Sequence, residues 1–175
     1  MDLDFSIVNL YRYFAYSAHM RQLYIESIDE GWLEVITPDL IGMLSFMNSA
    51  PGIYFVYAYS GIYLVIEGWR ELGLADDRID ELLESPYVDR LRRFRNATFH
   101  FQKQPLSMKH FEFFGTEEEQ TEVWLNKLYR EFERFFKANT LPLPDALKQQ
   151  VAGETPSGII RTMRSYLEAD PDAFR

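Results

Sequence analysis

Cysteine is absent from this chain. That excludes a disulfide framework, a thiol nucleophile and thiolate metal sites. Histidine is scarce, with three in 175 residues, so imidazole chemistry is confined to His19, His100 and His110. Positive charge is also short: 18 Lys and Arg stand against 27 Asp and Glu, giving a net charge of −9. A chain this acidic is repelled by nucleic acid at long range, which argues against a broad electrostatic footprint on DNA. No phosphate-binding glycine loop, Ser-His-Asp pattern or His-Glu-x-x-His motif occurs, and no metal-ligand cluster stands out. The opening residues, Met1-Asp2-Leu3-Asp4-Phe5, lack the basic region of a signal peptide, and a cytoplasmic protein is the reading that follows.

A long hydrophobic run is missing too. From Ile53 to Ile66 the chain carries no charge, but it includes four tyrosines and ends at Glu67. Crossing a bilayer takes about 20 apolar residues. This shorter run suits a helix buried on all sides within a bundle, with no membrane involved.

What is present points to a helical globule. Hydrophobic residues make up 47% of the chain and aromatic residues 16%, enough to bury a sizeable core. Ile7, Leu10, Phe14 and Ala18 recur at near-helical spacing within a first helix expected from Leu3 to about Ile28. Thr37-Pro38 reads as a cap followed by proline at the first helical position, opening a helix from Asp39 to Asn48. Pro51-Gly52 should break or kink it. A helix from Ile53 to Leu72, stopping near Gly73, and a short acidic one from Asp76 to Leu83 follow. Ser85-Pro86 repeats the cap signal for a helix to about Gln102, whose expected core stripe is Tyr87, Leu91, Phe94, Thr98 and Phe101. After an irregular stretch from Lys103 to Gly115, Thr116 and Glu119 form a capping box. The helix it opens carries Trp124, Leu128, Phe132 and Phe135 on one face.

The expected fold is therefore all-α: an antiparallel, up-and-down bundle of four to five main helices over residues 1–140. A C-terminal extension over 141–175 adds one short helix, opened by Thr155-Pro156 and packing on the bundle. Trp32, Trp69 and Trp124 read as core or interface anchors, His19 as structural, and Gly61 and Gly68 as points of close helix packing.

Chemistry concentrates in one stretch, Arg92-Arg93-Phe94-Arg95-Asn96-Ala97-Thr98-Phe99-His100. With Arg90 it is the densest basic run in the chain. If the helix continues through it, Asn96 and His100 lie about 40° apart, opposite the core stripe. Arg93 and Asp89 share that far face, Arg95 flanks it, and Phe99 lies between Arg95 and His100. Such a face admits three readings: a solvated polar surface, a protein–protein interface, or an active site. Glu67 could pair with an arginine of this helix, or be a plain helix-end charge. His110, with Lys109 beside it, could overhang the site from its loop.

Arg95-Asn96-Ala97-Thr98-Phe99-His100 resembles the signature of HEPN domains: an arginine, four to six residues, then a histidine, often with a polar residue directly after the arginine. Arg93 also fits the spacing, with six residues between. The resemblance spans about Leu3 to Asn139. It implies a helical bundle that forms a homodimer through the motif helix, bringing two Arg-His pairs into one cleft. It further implies metal-independent RNA cleavage without a cofactor, with Arg95 and His100 catalytic and Asn96, Arg93 and Arg92 binding substrate. Members of toxin or defence systems can have an antitoxin partner; others are non-catalytic and bind a nucleotide or a protein. In a subset, a tyrosine two residues after the histidine is modified by a partner nucleotidyltransferase. Gln102 stands there in this chain, so that route is not expected.

Overall fold

The computed structural model describes residues 5–28, 40–104, 109, 112–113 and 118–139. The chain divides into two compact units at Thr140–Leu141. The second unit lies outside the described residues, and with it the expected C-terminal helix. The Thr37-Pro38 cap, Trp32, His110 and the Thr116 capping box also fall outside them.

Among the described residues six helices follow one another: α1 (Phe5–Ile28), α2 (Leu40–Met47), α3 (Ala50–Glu71), α4 (Asp77–Leu83), α5 (Tyr87–Phe99) and α6 (Glu118–Asn139). The protein is an all-α helical bundle, with no strand among the described residues. Its helix directions follow from the pairs that meet. Leu10 meets Gly68, Ser17 meets Gly61 and the Tyr24 ring packs 5.2 Å from Phe55, so α1 and α3 run antiparallel. Tyr11 packs on Phe136, Phe14 on Phe132 and Ser17 on Tyr129, so α1 and α6 are antiparallel as well.

α3 is the hub. Most of its residues are buried, including Phe55, Tyr59, Ile62, Tyr63, Val65, Ile66 and Trp69. This is the uncharged run of the sequence, and burial between helices accounts for its composition. No single helix among the described residues is long and apolar enough to cross a membrane. Gly61 and Gly68 do permit the close approach to α1: an added Cβ would lie 3.0 Å from Ser17 Cβ at the first and 2.5 Å from Leu10 Cδ1 at the second.

The helix boundaries have local causes. The expected break near Pro51 falls at Asn48–Ser49, where the chain bends by 68° between α2 and α3. Ser49 caps α3, its Oγ accepting from the Gly52 N–H at 3.3 Å, and Pro51 sits in the first turn, where a missing N–H costs nothing. Gly73 ends α3 at φ +62, a left-handed conformation that disfavours side chains. Asp76 caps α4 by accepting from the backbone N–H groups of Arg78 and Ile79.

Trp124, Leu128, Phe132 and Phe135 are all buried, as their common face requires. Trp69 is 1% exposed, its ring 4.7 Å from Phe135 and 5.7 Å from Phe132, while its indole N–H donates to Asp80 Oδ1 at 3.0 Å. His19, by contrast, is exposed on α1 and takes no part in the core.

Asp76 also ties α4 to α6, accepting from Arg134 Nη2 at 2.5 Å. That bond, foremost, holds its carboxyl below the ordinary carboxylate range, with the α4 backbone donors assisting. A depressed folded-state value stabilises the protein above the unfolded value and is lost as pH falls through the folded one. Asp76→Asn keeps the cap and removes the charge. The variant should be less stable than the parent at pH 7, and the gap should close in denaturant titrations as pH drops below 4, a range set by the ordinary carboxylate value of about 3.9.

Candidate functional site

α5 carries the Arg-Asn-His stretch, and here the structure differs from the sequence reading in two ways. The buried residues of α5 are Val88, Leu91, Phe94 and Ala97. Of the expected stripe, Leu91 and Phe94 hold, Tyr87 and Thr98 are half-buried, and Phe101 is 94% exposed. The helix also ends at Phe99 rather than Gln102. Thr98, Phe99, His100 and Phe101 are all weak helix formers, so nothing local sustains another turn.

His100 therefore does not lie on a helical face one turn from Asn96. It is the first residue past the helix, in an extended conformation at φ −105 and ψ 132. Its backbone N–H still reaches Asn96 O at 3.1 Å, and its carbonyl accepts from Gln102 Nε2 at 2.7 Å. The residue is exposed, and its imidazole makes no hydrogen bond among the described residues.

Arg95 is the best-held cation of the cluster. Its side chain is 19% exposed and lies 5.1 Å over the Tyr63 ring of α3. One terminal nitrogen donates to Asn96 Oδ1 at 2.9 Å and the other pairs with Glu67 of α3. Its Nε is buried without a hydrogen-bond partner among the described residues. Ring, carboxylate and amide together fix the guanidinium, so its charge is preorganised rather than searched for. Burial, followed by the Glu67 carboxylate, raises the Tyr63 phenol above its ordinary value. The ring under Arg95 thus stays neutral.

Arg92 and Arg93 are placed differently. Both are half-exposed and both pair with Asp89 at 2.8 Å. Arg93 also approaches Glu112 at 4.0 Å. Hydrogen bonds from Arg92 and then Arg93 lower the Asp89 carboxyl, which stays ionised. Arg90, the fourth member of the run, lies 5.3 Å over the Tyr87 ring. The basic run is thus largely compensated: the three motif arginines each have a carboxylate at hand. Exposed aromatic surface lies next to it. Phe99 is 45% exposed against Tyr57, with ring centroids 5.9 Å apart, and Phe101, two residues on, is almost fully exposed.

The sequence reading left a Glu67–arginine pair open beside a plain helix-end charge, and it placed Asp89 on the arginine face; the structure shows the pair, with Arg95. It missed Tyr63 and Tyr57, which join the site only because α3 and α5 pack together. A tyrosine inside an apolar run carries no signal of the cation it will face. Comparison of this chain with protein-family models, curated proteins and solved structures finds no match.

Proposed function

We propose that this chain is a HEPN-like endoribonuclease that cleaves RNA without a metal, using Arg95 and His100. The observation that carries the reading is the clamped guanidinium of Arg95, four residues from Phe99 and five from an exposed, unengaged imidazole. RNA supplies its own nucleophile. His100 takes the proton of a 2′-hydroxyl as its oxygen attacks phosphorus, and the bond to the 5′-oxygen breaks. The same histidine of a second copy, protonated, returns a proton to that oxygen. Arg95 stabilises the charge that builds on the phosphate oxygens. Asn96 contributes chiefly by orienting Arg95, since its carbonyl oxygen is already engaged there. Arg92 and Arg93 meet the flanking backbone once Asp89 is displaced.

The homodimer buries the motif-helix end, where exposed Phe99, Phe101 and Tyr57 offer an apolar contact. An antitoxin partner would cover the same end. A second reading, a non-catalytic module that binds a nucleotide or a protein there, draws support from the compensated charges of the arginines.

The test is RNA cleavage by purified protein in EDTA, across structured and single-stranded substrates. The parent should cleave, and His100→Ala should lose at least about 100-fold, the scale of a general base. A folded dimer that cleaves none of them, or a His100→Ala variant as active as the parent, would favour the binding module.

A further inference from the structure

A second feature lies away from the motif helix. Between α1 and α6 a groove of about 530 Å³ opens, to which no residue of α5 contributes. That volume is within the range of about 300–1,000 Å³ typical of small-molecule sites. Ala15 and Ala18 line its α1 side, where small side chains leave the space open.

The groove is cationic in an acidic protein. Arg21, Arg130 and Lys137 line it against a single carboxylate, Glu133. Lys137 pairs with Glu133 at 2.6 Å, which leaves Arg21 and Arg130 in surplus on the groove wall. Among the described residues Arg130 reaches only Glu131, at 3.7 Å. Arg21 forms no ion pair among the described residues. It lies 4.9 Å over the buried Tyr129 ring, donates to Asn126 Oδ1, lies within reach of the Tyr59 hydroxyl, and has a buried Nε with no hydrogen-bond partner among the described residues. A partly buried guanidinium without a counter-ion is costly to hold, and an anion in the groove would offset that cost. The Tyr11 ring also lines the groove and is 38% exposed, a flat surface at the end where α6 carries Lys137.

We infer that this groove binds a small phosphorylated ligand with a flat ring, of the nucleoside-phosphate class. Its ring packs on Tyr11, at the Lys137 end, and its phosphate chain extends along Arg130 toward Arg21. The site is independent of Arg95 and of the function proposed above.

Isothermal titration of the full chain with the four ribonucleoside triphosphates, with adenosine and with inorganic phosphate tests it. At least one triphosphate should bind, with adenosine and phosphate each weaker by about tenfold or more, since each keeps only part of the contacts. Arg130→Gln/Lys137→Gln replaces two exposed side chains, so its helical circular dichroism should match the parent. Its affinity should fall by about tenfold or more, the loss of charge-assisted contacts, while Arg95→Ala should bind as the parent does. Three results would overturn the inference: no binding by any triphosphate, binding unchanged in the double variant, or binding lost in Arg95→Ala, which would place the ligand at the motif helix.

Discussion

Replacing Trp69 with alanine should lower the unfolding free energy by about 3–5 kcal/mol, the usual range for a buried aromatic cut back to a methyl. Three losses combine. The indole leaves a cavity beside Phe132 and Phe135, its apolar surface no longer leaves water on folding, and Asp80 loses a donor. A cost of that size is a large share of the roughly 5–15 kcal/mol that holds a domain folded. Urea unfolding followed by circular dichroism reads it directly. Phe101→Ala is the matched control. The sequence pattern places Phe101 in the core, whereas the fold leaves it 94% exposed. Its removal should change the stability of the isolated protomer by no more than about 0.5 kcal/mol, as for other surface substitutions. A cost near that of Trp69 would put the α5 stripe back where the sequence suggested.

Arg95→Ala should reduce RNA cleavage by about 100- to 1,000-fold, the scale of removing a preorganised donor from a developing oxyanion. Arg93→Ala should cost only a few fold, because an exposed, salt-screened cation contributes little. Spacing alone does not separate these two arginines; their surroundings do. Arg95 is fixed by Tyr63, Glu67 and Asn96, whereas Arg93 is half-exposed and leans on Asp89 within its own helix. Single-turnover rates for both variants, with folding checked by circular dichroism, decide between them. Equal losses would mean that the clamp around Arg95 has no bearing on catalysis.

Much of the bundle could be read from the sequence, because long helices announce themselves by period. The face of Trp124, Leu128, Phe132 and Phe135 needed only 3.6-residue spacing, and the stop of α3 needed only Gly73. The end of α5 did not show. No glycine or proline marks Phe99, and a run of merely weak helix formers looks like a continuing helix. That one unseen stop moved His100 off the helix and Phe101 out of the core. The charge balance was partly visible: Asp89 lies one turn from Arg92 and Arg93, which spacing predicts. The Tyr63 ring beneath Arg95 and the Arg21 groove depend on pairs of helices distant in sequence. No periodicity within one segment encodes them.

The proposed mechanism makes RNA's own 2′-hydroxyl the nucleophile at Arg95 and His100. It is tested most directly by comparing a cleaved RNA with the same oligonucleotide carrying a single 2′-deoxy substitution at the cleavage site, in EDTA. The expected products are 2′,3′-cyclic phosphate and 5′-hydroxyl ends from the RNA, with no cleavage at the substituted nucleotide. Cleavage at the deoxy position, or ends bearing a 5′-phosphate, would contradict it.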